Sequence, residues 1–288
     1  MVKENIINGK IDDKDFYAFN DCIEKMYGMN GFGLYKYGYS EDISDITLEK
    51  ISKHYFDLIK NSKLDIFVSG DFEFNEVENI VKENANIQKL NDRTPEFIFS
   101  DPTKNDKKIL EKTNEYIEKM NVTQGKLILG LDVFYSKNNY KYVGLIYNAI
   151  LGESANSKMF QNVREKAGLA YSARSSFIRQ KKNIFIRCGI EIPNFEKAID
   201  IIKIQLDDMK KGDFSSEDIE NAKRYLISGI KAIETEQDSG IVYYIGQELS
   251  NVRENLEEYI EKINNVSKEE IVEFANTVNM NTIYFLKS

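Results

Sequence analysis

The chain has 288 residues, which at ~150 residues per domain is about two domains, and its 42% hydrophobic, 30% charged and 12% aromatic residues exclude a disordered or disulfide-dense chain. Against 47 Asp and Glu stand 39 Lys and Arg, a net charge of −8 that repels phosphate backbones, so nucleic acid is not expected as a partner. One histidine, His54, and two widely spaced cysteines, Cys22 and Cys188, exclude a zinc site built on several His or Cys of this chain, and they fit a reducing, cytoplasmic setting better than a disulfide framework. The N-terminus, Met1-Val2-Lys3-Glu4-Asn5, carries no basic-then-apolar leader, and no stretch approaches the ~18 apolar residues of a membrane span, so no membrane partner is expected.

In chain order, residues 12–27 read as a helix and residues 47–59 as another, with Thr47 placed to cap it. Leu64, Ile66 and Val68 alternate with Asp65, Phe67 and Ser69 as a strand; Phe74, Val77, Ile80, Val81 and Ala85 then form a helical stripe. Pro95 and Pro102 stand in the polar stretch 91–108, which predicts a connection with a boundary near residue 104. Beyond it, Leu127, Leu129, Leu131 and Val133 lie on one face of a strand, residues 140–151 and 156–166 read as helices, and a strand starts at Leu169. Ile184, Ile186, Cys188, Ile190 and Ile192 mark one face of a long strand, with Cys188 as core and not nucleophile, since no His is at hand as its base. Two helical stripes follow, Phe195 to Met209 and Ile219 to Ile233; Ser215 with Asp218 and Ser267 with Glu270 are capping-box starts, and residues 283–286 close the chain as a strand. The acidic stretches 217–236 and 254–270 read as solvated helix faces with an apolar stripe. Strands followed by runs of helices predict an α+β fold, helices packed on one face of a mainly antiparallel sheet.

A constant offset of 220 residues relates Ile43 to Ile263, Ile46 to Val266, Thr47 to Ser267, Glu49 to Glu269 and Ile51 to Ile271. In both places a capped helix leads into a short apolar strand. Five such pairs also arise by chance between ordinary helices. Taken as a repeat, they make residues 1–104 the C-terminal part of a first unit and residues 105–288 a complete second one, with the front of the first missing.

The segment 151–172 carries a small-residue loop, a helix with Met159, Phe160 and Val163 toward the core, Gly168 as a stop, and a strand. Gly152-Glu153-Ser154 lacks the spacing of a phosphate loop; Ser154 or Asn156 is better read as a helix cap. His54, between Lys53 and Tyr55, reads as a solvated helix residue. Taken alone, Arg164 beside Glu165 reads as a surface ion pair and Tyr171 as a core strand residue. An Arg fork and a phenol one turn apart are also suited to gripping peptide carbonyls.

The run 157–172, with its F-x-x-x-R-E-K-x-G-L-A-Y core, resembles the pitrilysin or insulinase-like (M16) zinc metallopeptidases, at the segment bearing their Arg/Tyr substrate-binding pair. Gly38-Tyr39-Ser40-Glu41, the Thr47 helix and the strand ending in Gly70-Asp71 extend the resemblance over much of residues 16–72. It implies a partial and a complete copy of a repeated α+β domain, with Arg164 and Tyr171 binding substrate. The family's zinc signature, H-x-x-E-H, is absent, so this chain is expected to have no catalytic residue, no metal ligand and no cofactor of its own. Zinc is then expected in a partner half or in a segment upstream of Met1. The resemblance thus implies a noncatalytic chain that binds unfolded peptide for a zinc-bearing partner as a heterodimer. A fragment of an active protease and a scaffold or assembly subunit without substrate are the alternatives.

Overall fold

The computed structural model describes residues 8–9, 11–29, 31–62, 65–84, 108–250 and 252–288. Leu64, Ala85, the 91–107 part of the proline-bearing connection with the boundary at 104, and the first seven residues lie outside them. The described helices are α1 (Lys14–Tyr27), α2 (Leu48–Asn61), α3 (Phe74–Asn84), α4 (Tyr140–Asn148), α5 (Phe195–Lys211), α6 (Ser216–Thr235), α7 (Gln237–Ser250), α8 (Leu256–Asn264) and α9 (Lys268–Asn276). Strands β1 (Asn114–Lys119), β2 (Gly125–Val133), β3 (Ala170–Ile178), β4 (Asn183–Ile190) and β5 (Val278–Lys287) form one sheet in the order β1-β5-β2-β4-β3. The β1–β5 pair is parallel and the other three pairs are antiparallel, so the expected α+β class with a mainly antiparallel sheet is what forms.

The chain packs as two compact units that no single cut separates. One comprises Met1–Gly38, Asp101–Gly229 and Leu256–Ser288; the other comprises Tyr39–Ser100 and Ile230–Asn255. In the first of these units α1 brings the apolar stripe Ala18, Cys22 and Ile23 to the sheet.

Strand β2 explains the layering of that unit. Leu127, Leu129 and Leu131 pair with Cys188, Ile186 and Ile184 of β4, giving one wholly apolar face. Phe285 of the same face stacks on Phe195 at the start of α5, with ring centroids 4.4 Å apart. Phe274 of α9 fills the space between Tyr147 of α4 and Phe177 of β3, at 5.1 and 5.9 Å. Ile128, Phe185, Tyr284 and Leu286 point to the opposite face, where α1 covers them. A Cβ at Gly130 would stand 2.9 Å from Met26 Sδ, so the end of the Met26 side chain of α1 packs directly over this position. Helices therefore crowd one face, as the stripes predict, and among the described residues α1 covers the other.

Helix starts follow the local signals. Asp13 accepts from Asp15 N and Phe16 N, both at 3.0 Å, ahead of α1. Thr47 Oγ1 accepts from Lys50 N at 3.2 Å, and Ser267 and Glu270 form the full reciprocal box. Ser215 and Asp218 do the same, with Asp218 Oδ2 accepting from Ser215 N at 2.8 Å and Ser215 Oγ accepting from Asp218 N at 3.1 Å.

In the second unit, the strand predicted at 64–68 does not form: residues 65–69 pair with no strand among the described residues. Alternation makes a segment fit for a sheet, but hydrogen bonds from a neighbouring strand are what make it a strand. The acidic stretch 254–270 is also not one helix, since Asn265–Ser267 breaks it into α8 and α9.

Candidate functional site

Residues 149–172 form an irregular loop-helix-strand against β3 and α5. Beyond α4 the backbone widens into π-helical turns, with Ser154 N donating to Ala149 O at 3.3 Å. A turn closed by Ser157 N donating to Ser154 O at 3.1 Å leads into a second π-helical segment, Met159–Lys166. No side chain caps this segment, so the caps expected at Ser154 or Asn156 are not made. Backbone bonds of the preceding turn do that work instead.

Gly152 is a packing residue. A Cβ there would lie 2.6 Å from both Ser175 N and Ser175 Oγ, so the loop can sit on β3 only with no side chain at this position. Ser175 Oγ donates to Asn148 Oδ1 at 2.7 Å, and Asn148 Nδ2 donates to Glu153 Oε2 at 2.7 Å, tying strand, helix and loop together. Partial burial raises the Glu153 carboxyl pKa, opposed by the Asn148 bond. These partners were not legible in the sequence, because Asn148 and Ser175 are 27 residues apart in a pattern no motif marks.

Met159 and Val163 anchor the π-helical segment in the core, and Asn162 Nδ2 donates to Gln205 Oε1 of α5 at 2.6 Å. Arg164 is thereby held on the outer side. Its guanidinium lies 4.6 Å from the Phe160 ring centroid and its Nε is 3.5 Å from Glu165 Oε1. Three backbone bonds then reverse the chain: Ala167 N to Asn162 O, Gly168 N to Arg164 O and Leu169 N to Val163 O. Gly168, at φ +60°, takes the left-handed conformation that glycine adopts without strain.

β3 is an edge strand, and its register decides where Tyr171 goes. Ala170 pairs with Ile190 and Ser172 with Gly189, which leaves Tyr171 as the extra residue of a β-bulge. Its side chain is 73% exposed, so Tyr171 is not a core residue. Arg164 and Tyr171 therefore both face solvent, at the two ends of the turn 165–170.

The remaining candidates are structural. Cys188 is buried, and burial pushes its thiol up to about 12, which leaves it protonated and unreactive at neutral pH. His54 is exposed on α2. A catalytic zinc needs three protein ligands with imidazole or carboxylate donors converging. Among the described residues no group of three or more His, Cys, Asp or Glu is so arranged. No helix among the described residues is long and apolar enough to cross a membrane.

Residues 45–226 match the family described as Peptidase M16 inactive domain. The chain belongs to the M16 peptidase family, as an inactive domain. This M16 chain is similar to the probable inactive metalloprotease YmfF of Bacillus subtilis, with 33% identity over 283 residues, 98% of this chain and 65% of YmfF. It thus spans less than two thirds of that relative's length. Its fold is that of a conserved protein from Enterococcus faecalis, with a TM-score of 0.85 at 24% identity over 99% of this chain and 67% of that one. It is also that of a peptidase M16 inactive domain from Pseudomonas fluorescens, with a TM-score of 0.76 at 16% identity over 99% of this chain and 69% of that one. The matched region contains the whole 149–172 segment.

Proposed function

We propose that this chain is the noncatalytic, substrate-binding member of an M16-type zinc peptidase, holding unfolded peptide for a zinc-bearing partner half as a heterodimer. The observation that carries this reading is the bulge at Tyr171. A strand that kept its register there would alternate its side chains without a break; the extra residue instead presents a phenol to solvent on a sheet edge, a turn away from an exposed guanidinium. Tyr171 and Arg164 offer hydrogen-bond donors to peptide carbonyls, and rigid packing of Met159, Val163 and Gly152 fixes where those donors stand. The chain's own contribution is orientation of the peptide; the partner half is taken to supply zinc and general base. Two free, buried cysteines fit the reducing cytoplasm as its compartment.

The test is a kinetic comparison in the reconstituted complex. Arg164→Ala combined with Tyr171→Phe is expected to lower catalytic efficiency by about tenfold or more, and a loss below about threefold would count decisively against the reading. Titration of an unfolded peptide, with and without the partner, separates it from a scaffold role, for which no binding is seen in either case.

A further inference from the structure

On the sheet face that α1 covers, β3 and β4 hold two positive charges side by side. Arg187 of β4 pairs with Arg174 of β3 on one flank and with Ile128 of β2 on the other, so the two arginines share a cross-strand row on that face. Like charges directly opposite in a sheet are destabilising. Among the described residues neither arginine has a carboxylate within ion-pair distance. Arg187 is half-buried beside Phe19 of α1, its guanidinium 4.7 Å from the ring centroid, and its buried Nε has no hydrogen-bond partner. Burial first, and the charge of Arg174 second, hold its pKa below the ordinary value, against the pull of Asp15. That aspartate is already engaged, with Oδ2 3.2 Å from Lys126 Nζ. In a chain with 47 acidic and 39 basic residues, an uncompensated arginine pair is not a by-product of excess basic side chains.

The pair is also within reach of a ligand. β3 is an edge strand, and α1 lies over β2 and β5. Arg174 is exposed, and its neighbours on the same face of β3, Ser172 and Ser176, are short. Tyr171 stands three residues before it on the same strand, about 10 Å of extended chain.

We propose that Arg174 and Arg187 form an anion subsite that receives an acidic side chain of the peptide held by Arg164 and Tyr171. The subsite rests on the peptide-binding reading of Arg164 and Tyr171 and deepens it by naming a substrate class: unfolded peptide with Asp or Glu about three residues from the carbonyl that Tyr171 meets. A carboxylate accepts from the guanidinium forks and removes the cross-strand repulsion. The net charge of −8 acts the other way, because it repels acidic peptides at long range. A preference for acid is therefore a local signature.

The experiment titrates the 288-residue protein with fluorescently labelled, amidated, unfolded peptides that differ only in a single Glu or Gln, moved position by position and read by anisotropy. At one or two positions the Glu peptide is expected to bind about tenfold more tightly than its Gln twin, with an advantage that shrinks as salt rises. Arg174→Gln is expected to remove the advantage and leave the affinity for the Gln peptide unchanged, which shows that the rest of the site is intact. Arg174→Glu is expected to transfer the preference to a Lys peptide. Arg164→Ala with Tyr171→Phe is expected to weaken Glu and Gln peptides alike. A ratio below about threefold at every position, or a ratio that survives Arg174→Gln, overturns the subsite, while binding of the Gln peptide still upholds the Arg164 and Tyr171 reading. Absence of binding by every peptide counts against that reading itself, and the subsite falls with it. A Gln peptide with a free C-terminal carboxylate that binds as tightly as the Glu peptide, and loses this with Arg174→Gln, overturns the acidic side chain in favour of a chain terminus.

Discussion

The buried Tyr284 hydroxyl donates to Glu118 Oε2 at 2.7 Å, on the side of the sheet that α1 covers. Tyr17 of α1 donates to Glu118 Oε1 at 2.6 Å, so one carboxylate joins β1, β5 and α1. Tyr284→Phe keeps the ring and removes one bond to a charged group, which is expected to destabilise the protein by about 1.5–3 kcal/mol in urea unfolding. Burial acts to raise the Glu118 pKa, but the bonds from Tyr17 and Tyr284, with Asp21 and Lys25 nearby, outweigh it and hold the carboxyl below its ordinary value of 4.5. A native pKa below the unfolded one means the carboxylate stabilises the fold fully above the ordinary value, and that this contribution fades as pH falls through the native one. Glu118→Gln is therefore expected to cost more stability at about pH 7 than at about pH 3. Equal losses at both pH values would contradict the assignment.

Gly152→Ala tests the seat of the loop on β3. The added methyl would meet Ser175 N and Oγ at 2.6 Å, backbone included, so relief requires the loop to move. A loss of about 1–3 kcal/mol is expected, together with faster amide exchange in residues 149–158. A neutral result would mean the loop does not rest on Ser175.

Arg164→Ala and Tyr171→Phe should behave in the opposite way. Both side chains are exposed and the Arg164–Glu165 pair is long at 3.5 Å, so each change is expected to shift stability by no more than about 0.5 kcal/mol. Thermal unfolding of the single variants checks this, and it makes any loss of peptide binding attributable to the site itself.

Cys22 and Cys188 are both buried, and desolvation raises both thiols, Cys188 to about 12. Neither is expected to react with a thiol reagent in the native protein at neutral pH, and both should react once urea unfolds it. Rapid labelling of either in the folded chain would place it at an open surface.

Much of residues 105–288 can be read from residue patterns. Leu127, Leu129 and Leu131 announce β2, the alternation at Ile184 to Ile190 announces β4, and the Ser267–Glu270 box marks the start of α9 to the residue. Strand β1 escapes, because Asn114–Lys119 is a mostly exposed edge strand whose partner among the described residues, β5, pairs Asn114 with Thr282, far along the chain. Helix α1 is legible as a helix but not as the cover of a sheet face, since nothing local says which surface Ala18 and Cys22 will meet. The reverse error occurs at residues 65–69, where good alternation finds no neighbour.

Composition and local periodicity alone settled that these 288 residues hold one histidine, that they form an α+β chain, and where most helices begin, because residue counts, side-chain spacing and capping are properties of the sequence or of a few adjacent residues. Tertiary structure alone decided that Tyr171 leaves the sheet on a bulge, that Gly152 rests on Ser175, and that Ile51 is exposed where Ile271 is buried. Strand register and burial depend on which distant segment comes alongside, and no window of local sequence contains that information.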